Sequence, residues 1–121
     1  MAAKNDKRGK FAAINEKFLK AARDSDLAAL IEAQLDGANI NCREKNTGRT
    51  ALHIAVSEDN LLMARYLAEQ CNAVFCADAK GEWPSIVNTN STKSGVKMAD
   101  YIVEAEAEYL RRIGDPNIAP A

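Results

Sequence analysis

Apolar residues at Phe11, Ile14, Phe18, Ala21 and Ala22 recur at spacings of three and four, which predicts a helix with one buried stripe. Asp24-Ser25-Asp26 interrupts that stripe and offers side-chain oxygens to the free amides of a second helix. The apolar face of the second helix is Leu27, Leu30, Ile31 and Leu35, and Gly37 ends it as a left-handed residue. From Asn39 to Thr47 the chain is polar and turn-rich, before Thr50 caps the next helix. Pro84 suits the first turn of a later helix. Val96, Ala99, Ile102 and Val103 give the final helix an inward face; it runs toward Arg112 and is stopped by Gly114, Asp115 and Pro116.

The pattern repeats. Asn60-Leu61-Leu62-Met63-Ala64-Arg65-Tyr66-Leu67-Ala68-Glu69 returns as Gly95-Val96-Lys97-Met98-Ala99-Asp100-Tyr101-Ile102-Val103-Glu104. Upstream of each copy lies a matching lead, Thr47 to Ala55 and Lys80 to Asn88, with glycine and the helix start in the same places. An earlier unit is visible because Leu19-Lys20-Ala21-Ala22 answers Leu52-His53-Ile54-Ala55, and Asp36 to Asn41 answers Gln70 to Phe75. A period of roughly 33 residues means stacked helical units, here three, with the outer two irregular.

Two motifs carry a family resemblance. The middle unit opens Thr50-Ala51-Leu52-His53, and the first closes Gly37-Ala38-Asn39-Ile40-Asn41. From about Glu16 to Glu104 the chain resembles the ankyrin repeats, which open on Thr-Pro-Leu-His and close on Gly-Ala-Asp-Val-Asn. The resemblance implies an all-α stack of helix-turn-helix units with short hairpin-like fingers. The corresponding division is a flexible basic leader at 1–10, one domain at 11–113 with units near 11–44, 45–77 and 78–113, and a tail at 114–121. His53 follows Thr50 by one helical turn, so the pair is read as structural. Cys71 stands where the family has its helix-ending glycine, and Asn72 beside it tolerates a left-handed backbone better, which predicts a shifted turn. The third unit departs most: Trp83-Pro84-Ser85-Ile86 replaces the opening, Asn88 replaces a small alanine, and two extra residues precede Gly95, which predicts a short first helix.

With 121 residues and 47% hydrophobic content, the chain is expected to form one domain with a modest core. The formal net charge of −1 exerts no general pull on nucleic acid. No apolar run is long enough to span a membrane, and Lys4, Lys7, Arg8 and Lys10 precede no signal-type segment, so the cytoplasm is the expected compartment. Cys42, Cys71 and Cys76 are odd in number and expected to be reduced.

Catalysis would have to use His53 with Cys42 or with Ser57 and Asp59, but no nucleophile motif surrounds them. Cys42, Cys71, Cys76 and His53 are enough ligands for zinc, yet they lack a tight ligand spacing. No glycine belongs to a phosphate-cradling loop, and neither catalysis nor a cofactor or metal is expected.

The resemblance implies instead a protein partner, met by finger tips and first helices along a concave groove. The family's contact positions fall on Glu44, Asn46, Thr47, Arg49, Ser57 and Glu58, and in the next finger on Ala77, Ala79, Lys80 and Glu82, with Trp83 beside them. Trp83 admits two readings, a binding hot spot or a core filler in an irregular unit. Two alternatives stand beside this one: a self-assembling dimeric stack, and a bacterial effector delivered into a host cell.

Overall fold

A computed structural model of the chain describes residues 2–114, apart from the side chains of residues 2–8 and 10. The charges of the 1–10 leader, together with Asp115, Pro116 and the rest of the tail, lie outside what is described. The described residues contain helices and no strand: α1 Ala2–Arg23, α2 Leu27–Leu35, α3 Ala51–Ser57, α4 Leu61–Arg65 continued by a π-helical turn Tyr66–Gln70, α5 Pro84–Asn90 and α6 Val96–Arg112. Helical backbone thus begins upstream of the Phe11 stripe. α1, α3 and α5 pack in sequence as an inner row, and α2, α4 and α6 each lean on the inner helix before them. One core runs through the stack, built from Phe18, Leu30, Leu52, Met63, Leu67, Met98 and Ile102 with small alanines between them.

The caps explain where the helices start. Asp26 accepts from Ala29 N at 3.1 Å, and Asn60 accepts from Met63 N at 3.1 Å. Thr50 and His53 form a reciprocal capping box at the start of α3. α5 has no side-chain cap of its own at Trp83; Pro84 fills its first turn, and the Glu106 carboxylate of α6 receives Ser85 N at 3.1 Å. At seven residues α5 is short, as expected, and α3 is equally short. The two extra residues lie in the loop after it, where the Ser91 hydroxyl donates to Ser57 O at 2.7 Å and the Ser94 hydroxyl to Val56 O at 2.9 Å. The same hydroxyl also lies 2.5 Å from Oδ1 of the buried Asn88, the amide that replaces an alanine, so its one proton is shared between two acceptors.

The shifted turn after the middle unit has a countable cause. From the α2 cap Asp26 to the left-handed Gly37 is 11 residues; from the α4 cap Asn60 to the left-handed Asn72 is 12. The inserted residue is absorbed as the π turn, so Asn72 rather than Cys71 takes the positive φ, at 53°.

Several expected core positions face outward. Leu35 lies five residues after the buried Leu30, a rotation of about 140°, and is exposed. Phe11, Val96 and Val103 are also exposed; Met98 and Ile102, with Tyr101, Ala105 and Tyr109 alongside, form the true inward face of α6. Gly114, at φ 79°, follows the end of that helix as expected.

Candidate functional site

Two fingers project beyond the inner row. In the first, Glu44 N donates to Arg49 O at 2.9 Å and Gly48 N to Glu44 O at 2.9 Å, closing a tight turn. Thr47 stitches it: its hydroxyl donates to Glu44 Oε1 at 2.8 Å and accepts from Arg49 N at 3.1 Å. Glu44 also meets Arg23 of α1 at 2.5 Å, while Arg23 reaches Glu16 at 3.3 Å. These two carboxylates raise the pKa of Arg23, its bond to Glu44 first among the causes.

The second finger is organised by Asp78, which is buried. Its Oδ1 accepts from Lys80 N and Glu82 N, each at 2.9 Å, and its Oδ2 meets Arg49 Nε at 3.3 Å. Burial alone would raise its pKa, but those two amides and the Arg49 guanidinium outweigh it and leave Asp78 below the usual carboxylate range. Arg49 also reaches Glu82 at 3.7 Å, and Glu82 accepts from Asn90 of α5 at 3.0 Å.

The fingers are joined to each other. Ala79 N donates to Thr47 O at 2.9 Å, and Arg43 donates to Gly48 O at 3.0 Å and Ala77 O at 2.8 Å. Gly48 has φ 67°, and a Cβ there would stand 2.8 Å from Ala79 N, so both the conformation and the contact require glycine.

The candidate residues stand in different settings. Asn46, Thr47 and Lys80 are exposed on the finger turns. Glu44, Arg49 and Glu82 are half-buried and engaged as described. Ser57 and Glu58 end α3, the first through its carbonyl to Ser91 and the second in an ion pair with Lys93 at 2.7 Å. Trp83 is half-buried and packs against the core, leaving part of the ring accessible. A polar depression of about 440 Å³ between α1 and the first finger is lined by Glu16, Arg23, Glu44, Lys45, Asn46 and Thr47. Glu16, Arg23, Lys45 and Asp78 escaped the sequence reading. Asp78 alone left a signal, an Asp three residues before a Gly in a turn.

His53 is fully buried behind this face. Thr50 N donates to its Nδ1 at 3.1 Å, so the ring proton sits on Nε2, which donates to Glu82 O at 3.1 Å. Burial lowers its pKa and favours the neutral ring. Both nitrogens are thus committed, Nδ1 to the start of α3 and Nε2 to the second finger. The Cys42 thiol is pushed up to about 11 by burial, which disfavours the nucleophilic thiolate. Among the described residues no three His, Cys, Asp or Glu side chains gather as a metal cluster. A separate cleft of about 680 Å³ opens on the outer row between the π turn and α6, floored by Phe75, Tyr101, Ala105 and Tyr109. Among the described residues no helix is long and apolar enough to cross a membrane.

No curated protein matches the chain. The family model for ankyrin repeats, in three copies, matches residues 18–112, a span that includes both fingers. Ankyrin repeats are generally protein–protein interaction modules and are typically non-catalytic. On the stacked helix pairs, the buried Thr50–His53 cap and this match, the chain belongs to the ankyrin-repeat family.

Proposed function

We propose that the chain binds a protein partner along the concave side formed by its fingers and inner helices. Asn46, Thr47 and Lys80 supply free-standing contacts; Glu44, Ser57 and Glu58 line the groove; Arg49, Glu82 and Trp83 contribute the parts of their side chains left uncovered. The observation that carries this reading is the locking of one finger to the next through Thr47 O, Ala79 N and Arg43. Fingers fixed before binding lose little conformational entropy when a partner arrives. The depression beside the first finger adds a polar recess to that rim.

Replacing exposed finger-tip residues tests the reading without attacking the fold. The variant Asn46→Arg with Lys80→Glu changes neither Arg49, which holds the buried Asp78, nor Trp83, which packs on the core. Immobilised wild-type chain should retain a partner from the source cell's lysate that this variant loses at equal helicity. Equal retention by both proteins would remove the fingers from the binding site.

A further inference from the structure

The cleft of about 680 Å³ on the outer row lies apart from the finger face and has a chemistry of its own. Its volume falls within the range of small-molecule sites. On α6, Tyr101, Ala105 and Tyr109 recur every fourth residue on one face, and the alanine leaves the space between the two phenol rings open. Phe75 completes the floor, its ring centroid 5.1 Å from that of Tyr109. Glu104 and Glu108 stand one position before Ala105 and Tyr109, so a row of carboxylates borders the row of rings. Glu69 of the π turn lines the cleft from the other side. The three carboxylates differ in what they meet. Glu69 accepts from Tyr101 Oη at 2.9 Å and from Arg65 Nε at 3.2 Å, and these bonds, in that order, lower its pKa. Arg111 bonds Glu108 through Nε at 3.1 Å and Nη2 at 2.5 Å, and together with the charge of Arg112 lowers its pKa. Among the described residues Glu104 is in no ion pair, and it is exposed. One of the rings already takes a cation from this chain: the Arg65 guanidinium, which does not line the cleft, stands 5.8 Å from the Tyr101 centroid.

We propose that this cleft binds an organic cation whose head is an alkylated ammonium group, such as the trimethylammonium of choline. Such a head spreads its charge over methyl groups and is weakly hydrated, so it enters an aromatic recess at little desolvation cost and is attracted by the rings. A primary ammonium or a metal ion would give up far more hydration for the same contacts. Glu104 supplies the counter-charge, being the lining carboxylate that no arginine or lysine neutralises. An anion fits less well. It would face the negative faces of the rings and three carboxylates, against two arginines of which one is committed to Glu108. The cleft also runs to the C-terminal end of α6, where the free carbonyls carry partial negative charge.

Titration of choline into the isotope-labelled full chain, followed by the amide resonances, tests this. The control ligand is the uncharged carbon isostere of choline, in which a tert-butyl group replaces the trimethylammonium. Choline should shift the amides around Phe75, Ala105 and Tyr109 and bind roughly two- to thirtyfold tighter than the isostere. Glu104→Gln should weaken choline about two- to fivefold. Ala105→Leu, which fills the space between the tyrosines with a good helix former, should abolish binding at unchanged helicity. Should that variant fail to fold, Glu104→Lys at an exposed position serves the same purpose. A peptide bearing a trimethylated lysine carries the same head group: tighter binding of the peptide than of choline assigns the source to a protein, the reverse to a free small molecule, and either supports the head-group assignment. No shift at the cleft with any of these ligands, equal binding of the isostere, or choline binding that survives the folded cleft variants would each overturn the proposal. The finger variant Asn46→Arg with Lys80→Glu should bind choline as the wild type does, so this proposal and the one for the finger face fail independently.

Discussion

At the residue scale, His53 shows how a single side chain couples a helix to a loop far along the chain. Its Nδ1 closes the start of α3 and its Nε2 proton reaches Glu82 O, 29 residues away. Truncation to alanine leaves a cavity and two unmet backbone groups, so His53→Ala should cost about 2–4 kcal/mol in a denaturant titration. The pH dependence follows from the lowered pKa. Near neutral pH the unfolded chain binds more protons at this histidine than the folded one, so folding stability is fully present above the unfolded value and declines as pH falls through it. The thermal midpoint should therefore drop between about pH 7 and pH 5, and a folded His53 variant should show a flatter profile there. The depressed carboxyl of Asp78 acts lower: its stabilisation is lost only below the ordinary aspartate range of about 4. The partnership of Thr50 with His53 was legible in the sequence because one helical turn joins them. The acceptor at Glu82 was not, because only the stack brings that carbonyl to the ring.

At the element scale, the fingers and the π turn mark where local pattern and tertiary packing part company. Glycine was legible as a turn residue at both Gly48 and Gly81, which have φ of 67° and 81°. Only the packed stack separates them: a Cβ at Gly48 meets the backbone of the next finger, whereas one at Gly81 meets nothing within 4 Å. Gly48→Ala should cost about 2 kcal/mol or more through strain and contact together, and Gly81→Ala about 1 kcal/mol through strain alone, both measured by chemical denaturation. The inserted residue in the middle unit was foreshadowed by Cys71 at the glycine position, but the π turn that absorbs it depends on Leu67 staying in the core. Asn72→Gly should stabilise the protein by a few tenths to about 1 kcal/mol, because glycine accepts φ 53° without side-chain strain, while Asn72→Val should destabilise it. Outward Leu35, Val96 and Val103 misled a reading based on apolar spacing alone. Such spacing tells which residues share a stripe, and the neighbours decide which of two stripes is buried.

At the scale of the whole molecule, the repeat period and the paired motifs were enough to read three stacked units, because each unit must bury its apolar face against the next. The candidate face was legible as positions and not as interactions. Arg49 with Asp78, Glu44 with Arg23 and Glu58 with Lys93 join residues from different units or elements, which no local pattern links. On the proposed reading, the same ties that occupy these charges preorganise the rim for a partner. The most direct measurement is amide hydrogen exchange of the chain with and without the partner it retains. The account predicts added protection over residues 44–49 and 77–83 and at the end of α3, with α2 and α4 unchanged. Protection confined to the outer helices, with the fingers exchanging as in the free chain, would contradict it.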